Sequence, residues 1–237
     1  MKNVKTFFRW LISTIYPNKC MCCGELIDEE NFLCHRCNND LERINLDDIC
    51  LECGLEKSDC VCQFNIFRFT SLICVFKNTG SARKIYYSYK FQKKQHYVKF
   101  FANEMCSAIK KCYLGVKFDL ICSVPSYKKF GYDHSGYIAK EISKILNIPL
   151  RNDLLYCVKK SKKQHKSTFK DRLTNVNGKY STNYRVDNLN ILLIDDIKTT
   201  GATVDECTKV LLFAGANSVR CATTLGTATD KKQKIEK

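Results

Sequence analysis

Residues 191–203 read ILLIDDIKTTGAT. Four apolar residues run into two adjacent carboxylates, Asp195 and Asp196, and those run into a polar turn. Adjacent carboxylates repel, and a strand that ends in them gives up burial, a cost that makes sense where a ligand binds. A short apolar run without alternation suits a parallel strand covered on both faces. In open parallel sheets ligands sit beyond the carboxyl ends of the strands, so both aspartates fall in that crevice. Neighbouring strand residues point to opposite faces, and a turn at the strand's end lets both carboxylates reach one sugar's vicinal hydroxyls. Thr199, Thr200, Gly201, Ala202 and Thr203 then lead into a helix. Their N–H groups and hydroxyls, with the positive helix end, form a phosphate cradle. Gly201 permits close backbone approach. A diol site beside a phosphate site describes a ribose 5-phosphate.

Outward from this stretch, strands alternate with helices. The patterns predict strands at 70–76, 118–124, 153–158, 190–195 and 218–225, and helices near 81–90, 97–112, 135–146 and 203–214. That alternation implies a mostly parallel α/β sheet flanked by helices. Residues 4–16 read as an amphipathic helix, with Phe7, Phe8, Leu11, Ile12 and Ile15 at helical spacing, packed against the rest of the chain. The Lys-rich stretch 159–179 is long and polar enough to point to function.

The chain has 237 residues, is 45% hydrophobic and carries a net charge of +15. That length accommodates one ordinary domain plus a small module, here 1–66 and 67–237. The apolar runs fall short of the roughly 18 residues that a membrane span needs. The N-terminus lacks a cleavage site of the signal-peptide kind, and Arg9 interrupts its apolar stretch. Both features lead us to expect a cytoplasmic protein. Residues 1–65 hold 7 Lys/Arg against 11 Asp/Glu, a balance of −4, while 66–237 hold 32 against 13, a balance of +19, which together restore +15. The larger part therefore faces anions, polyphosphate or nucleic acid.

Nine of the 16 cysteines lie between Cys20 and Cys62. Cys20-x-x-Cys23 and Cys34-x-x-Cys37 are two knuckles whose thiolates complete a tetrahedral zinc site. Cys50-x-x-Cys53 repeats the knuckle, and Cys60-x-Cys62 is its tighter partner. Spacing alone leaves crossed pairings open, such as 20/23 with 50/53. Cys22 reads as a bystander. Four thiolates leave no position for water, so such sites are structural. The seven cysteines beyond Cys62 read as mostly buried thiols.

The apolar run, acid pair and Thr-Thr-Gly-x-Thr together resemble the phosphoribosyl-pyrophosphate (PRPP) signature of type I phosphoribosyltransferases. The resemblance extends along the chain. A four-knuckle cysteine module precedes Tyr89-Lys90-Phe91, Val124-Pro125, Gly131-Tyr132 and the set Gln164, Arg172 and Asn175. In this order they resemble the ComF family, phosphoribosyltransferase-like proteins tied to natural competence. The chain departs from the family at Phe130, where Arg is usual, with Lys128 and Lys129 just upstream, and at Asp133-His134, where Asn-Gln is more frequent. A lysine offers a point charge rather than the fork of an arginine.

The resemblance implies a type I phosphoribosyltransferase-like fold behind a double zinc ribbon, and a cytoplasmic protein that helps incoming single-stranded DNA. It implies Asp195 and Asp196 on the ribose hydroxyls, directly or through Mg²⁺, and residues Thr199 to Thr203 on the 5-phosphate. Lys90, with Lys128 or Lys129, then meets the pyrophosphate, and Arg172 is the candidate from the Lys-rich stretch. Two other readings stand beside this one. The first is an active phosphoribosyltransferase of nucleotide metabolism, for which no acceptor-binding residue is legible. The second is a zinc-held adaptor that docks a competence helicase.

Overall fold

The structure, a computed structural model, describes residues 17–28, 31–60, 62, 67–92, 95–126, 133–158 and 178–228. The expected helix at 4–16, most of the stretch 159–179, and Arg172, Gln164, Asn175, Lys128 and Lys129 lie outside them. In chain order the elements are α1 (His35–Asn39), β1 (Ser71–Lys77), α2 (Gly80–Gln92), α3 (Gln95–Cys112), β2 (Leu120–Ser123), α4 (His134–Leu146), β3 (Tyr156–Cys157), β4 (Tyr180–Ser181), β5 (Asn190–Lys198), α5 (Ala202–Phe213) and β6 (Ser218–Gly226).

Four strands form one sheet in the order β1-β6-β5-β2. Every pairing in it is parallel. Parallel neighbours need crossover connections, and the helices supply them. The opening stretch ILLI is fully buried at the centre of this sheet. Its side chains divide by the two-residue period of a strand. Leu192 and Ile194 join one core with Ile85, Tyr86, Phe101, Met105 and Ile138. Ile191 and Leu193 join the other with Val204, Cys207 and Leu211. So α2, α3 and α4 cover one face and α5 the other. The expected strand at 153–158 is only two residues long and pairs antiparallel with β4, outside the main sheet. Its neighbours Arg151, Asn152 and Asp153 are polar and exposed, which leaves little apolar length for the central sheet.

Both edges of the sheet are covered. Beside β2, the Ile121 N–H donates to the Pro149 carbonyl at 2.8 Å, and the Arg151 N–H to the Ile121 carbonyl at 2.9 Å. Beside β1, the cysteine-rich segment takes the free hydrogen-bonding groups. Leu72 N–H donates to Leu51 O at 2.7 Å, Cys74 N–H to Gly54 O at 3.1 Å, and Lys77 N–H to Glu42 O at 2.8 Å. An exposed edge invites pairing with other chains, and here the ribbon closes it.

Gly54 makes this contact possible. Its φ is +72°, and a Cβ on it would stand 2.7 Å from the Cys74 sulfur and 2.9 Å from the Cys74 nitrogen. Any side chain there meets both left-handed strain, about 1–2 kcal/mol, and a collision with strand backbone. Gly54→Ala is therefore expected to lower the unfolding free energy by more than about 2 kcal/mol in a denaturant titration.

Candidate functional site

The polar residues at the end of β5 are held by three elements. Asp195 is buried at 5% exposure, and its Oδ1 accepts from the Ser135 hydroxyl of α4 at 3.4 Å and from the Asp196 N–H at 2.8 Å. Asp196 is partly exposed. Its Oδ2 accepts from the Tyr86 hydroxyl at 2.7 Å and from Lys90 Nζ at 3.4 Å. Its Oδ1 accepts from the Ile197 N–H at 2.7 Å. Tyr86 and Lys90 are one turn apart on α2, so i,i+4 spacing stacks them on one face, and Lys90 Nζ lies 5.9 Å from the centre of the Tyr86 ring.

This asymmetry divides the charge. Burial first, then the neighbouring Asp196, pushes the Asp195 carboxyl well above its ordinary range. At Asp196 burial acts the same way, but the Lys90 ammonium, the Tyr86 hydroxyl and the Ile197 N–H outweigh it and hold that carboxyl below its ordinary range. Of this coupled pair, Asp196 is held toward its ionised form and Asp195 toward its protonated form. Asp133, which caps α4 through the Gly136 N–H at 3.0 Å, is also pushed up by burial and feels the charge of Asp196.

The loop that follows turns into α5 through Gly201 at φ +84°. Thr200 Oγ1 accepts from the Ala202 N–H at 3.2 Å. Thr200, Gly201 and Ala202 are buried, while Thr199 and Thr203 are partly exposed. The Phe67 ring lies against the loop, since a Cβ on Gly201 would stand 3.2 Å from it. Arg68 ties the same segment to α5 by pairing with Asp205. The structure therefore brings together Asp195, Asp196 and Lys90, and the stretch from Thr199 to Thr203 follows at the end of the same strand. Arg172 lies outside the described residues. Tyr86, Ser135 and Phe67 were absent from the sequence reading. The only signal for Tyr86 was its place four residues before Lys90.

The cysteines sort into two groups, Cys20, Cys23, Cys34 and Cys37, and Cys50, Cys53, Cys60 and Cys62, with the sulfur atoms of each group within 4.8 Å of one another. This is the uncrossed pairing, and Cys22 stays out of it. Tetrahedral zinc with bonds of about 2.3 Å sets sulfurs about 3.8 Å apart, and Cys23 and Cys34 stand 3.8 Å apart. In the first group the backbone N–H groups of Cys23, Cys34 and Cys22 outweigh the effect of burial and bring the Cys20 thiol down to about 6. Burial and neighbouring thiols push Cys37 up. Four crowded thiols cannot all ionise without a cation, and a sulfur-only donor set suits structural zinc.

Comparison with known proteins agrees. A family model described as "Double zinc ribbon domain" matches residues 11–64. Competence protein F of Haemophilus influenzae is 28% identical over 109 residues, 43% of this chain and 48% of that protein. The chain therefore spans about half the length of this curated relative. Three solved structures resemble it. The hypoxanthine phosphoribosyltransferase of Staphylococcus aureus has a TM-score of 0.37 at 16% identity, over 58% of this chain and 69% of that one. The purine phosphoribosyltransferase of Pyrococcus horikoshii has 0.36 at 16%, over 54% and 84%. The phosphoribosylpyrophosphate synthetase of Mycobacterium smegmatis has 0.35 at 19%, over 53% and 33%. At these scores the fold assignment rests on this chain's own strand order and helix placement. No helix among the described residues is long and apolar enough to cross a membrane. The chain thus places a double zinc ribbon domain ahead of a parallel sheet flanked by helices, and over 109 residues it is similar to Competence protein F.

Proposed function

We propose that this chain binds PRPP with Mg²⁺ at the end of β5 and handles single-stranded DNA in the uptake step of natural transformation. The observation that carries the first half is the Asp195–Asp196 pair. It stands two residues before the C-terminal end of β5, a central parallel strand, with Asp196 bonded to Tyr86 and Lys90 and the Thr-Thr-Gly turn following Lys198. Mg²⁺, when bound with the ligand, would neutralise the pyrophosphate oxygens. Asp196 and Asp195 hold the ribose hydroxyls. The N–H groups of the turn and the start of α5 hold the 5-phosphate. Lys90 is within reach of both Asp196 and a pyrophosphate beside it, and Arg172 is the further candidate for that group. Among these residues the site orients a phosphoribosyl group and offers it cations, which is the requirement for displacement at the anomeric carbon.

The DNA half is supported by the balance of +19 over residues 66–237 and by similarity to a protein named for competence. Binding through phosphates releases counterions. If six phosphates are neutralised, the affinity for a labelled single-stranded oligonucleotide falls by a factor of about 300 between 50 and 200 mM salt. Fluorescence anisotropy across that range is the test. An affinity that does not change with salt removes the DNA role and leaves the PRPP site to be judged separately.

A further inference from the structure

Helix α2 meets the end of β5 with one row of side chains and water with the next. Tyr86 and Lys90 reach Asp196. Arg83, Tyr87 and Phe91 recur at i, i+4 and i+8, so they stack as a neighbouring row along the helix. The Arg83 guanidinium carbon lies 5.5 Å from the centre of the Tyr87 ring. The Tyr87 and Phe91 rings are centred 6.3 Å apart and inclined by 27°. Tyr87 also meets Tyr86 edge to face, at 6.0 Å and 86°, which joins this row to the residue that bonds Asp196.

The row is open to solvent. Phe91 is 78% exposed, Arg83 is exposed and Tyr87 is half-buried. A single exposed phenylalanine is ordinary, but two near-parallel rings in line with a guanidinium present π-faces and positive charge together. The charge on α2 is of one sign: it carries Arg83, Lys84 and Lys90 and no acidic residue. Lys90 is engaged by Asp196. Arg83 and Lys84 are exposed and form no ion pair among the described residues. Glu42, whose carboxylate feels Lys84, is bonded to the N–H groups of Ser81 and Ala82 at the start of the helix.

A polyanion with flat apolar groups fits such a row, and a nucleic-acid strand is one. The ring spacing selects the form of the strand. Bases in a duplex rise by about 3.4 Å per step and hide their faces in their own stack. Rings 6.3 Å apart suit bases drawn out of that stack, which a single strand presents without being opened.

We propose that the Arg83–Tyr87–Phe91 row of α2 is a stacking surface for single-stranded DNA, with bases on the two rings and phosphates on Arg83 and Lys84. The bound strand then passes beside Lys90 and the end of β5. The proposal rests on the DNA half of the function proposed above and is independent of PRPP binding.

The test titrates the zinc-loaded full chain against a fluorescein-labelled oligothymidine, read by anisotropy, for the wild type, Phe91→Leu, Phe91→Trp, Tyr87→Leu and Arg83→Met. Loss of one base–aromatic stack converts to about 5- to 150-fold in affinity. Phe91→Leu keeps an apolar side chain and removes the ring, and it is expected to weaken binding within that range at an unchanged salt slope. Phe91→Trp is expected to keep wild-type affinity. Arg83→Met is expected to flatten the slope of log affinity against log salt by about 0.7. Phe91 is exposed enough that its variants should melt as the wild type does. If the half-buried Tyr87→Leu melts early, Phe91→Leu decides. Wild-type affinity in Phe91→Leu would overturn the proposal and leave DNA binding elsewhere on the chain. A changed oligomeric state in that variant, with DNA affinity intact, would also overturn it and make the row an interface between copies. So would an equal loss in Phe91→Trp, which would remove stacking as the cause. No binding by the wild type would overturn the proposal and the DNA role together.

Discussion

The double variant Asp195→Asn/Asp196→Asn is expected to lose Mg²⁺-dependent PRPP binding by at least about 100-fold while remaining folded. Each charge-assisted hydrogen bond contributes about 1.5–3 kcal/mol, and two of them convert to 100-fold or more. Retention of the fold follows from the charges in the free chain. Burial already holds Asp195 toward its neutral form, so an amide there does not remove a favourable charge. The Asp196–Lys90 pair is partly exposed, with side chains 22% and 38% accessible, and such pairs contribute about 1 kcal/mol or less. The pH dependence has a definite sign. In the free chain the raised carboxyl favours the folded state at low pH, and that contribution is lost as pH climbs from the ordinary carboxyl range to the raised value. Binding that needs Asp195 ionised strengthens over the same window and releases a proton. Calorimetric titrations in buffers of different ionisation heat measure that proton, and Asp195→Asn alone should abolish it.

Stripping zinc is expected to have the largest effect on stability. Structural zinc contributes about 10–16 kcal/mol in isolated ribbon-like peptides. In this chain the ribbon also closes the β1 edge through Leu51, Gly54 and Glu42, so its loss exposes strand as well as thiols. If only about 5 kcal/mol couples to global unfolding, Tm falls by about 10–20 °C for a chain of this size. Metal analysis should give two zinc per chain before stripping. Calorimetric melts with and without a chelator should show the drop, and readdition of zinc should restore it. An unchanged Tm in the stripped chain would mean that the cysteine groups contribute little to the fold. The Glu42 carboxylate makes a further link, since it accepts from the Ser81 and Ala82 N–H groups at 3.0 Å each and so caps α2, the helix that carries Tyr86 and Lys90.

What could be read from the chain beforehand was set by local periodicity. The run from Ile191 to Ile194 is apolar throughout because both of its faces are covered, and that pattern survives in sequence. The spacing of Tyr97, Phe101, Met105 and Ile109 shows one buried face of α3 in the same way. Knuckle spacing is local too, although only the fold separates 20/23/34/37 from 50/53/60/62. The contact of Tyr86 with Asp196 joins residues 110 positions apart, and Phe67 meets Gly201 across a similar distance in sequence. No local pattern encodes such pairs. The two residues of β3 carry too little periodicity to show that they pair with β4 rather than the main sheet. Lys198 reads in the opening motif as a polar residue after a strand, yet it is the last residue of β5 and is buried, paired in register with Gly226.

The central claim is that the end of β5 is a phosphoribosyl site, and calorimetric titration of the zinc-loaded wild-type chain with PRPP tests it most directly. The account predicts saturable binding of one PRPP per chain that requires Mg²⁺ and is competed by ribose 5-phosphate. An absence of binding heat at millimolar PRPP with Mg²⁺ present, from a chain that holds both zinc ions and melts cooperatively, would contradict it.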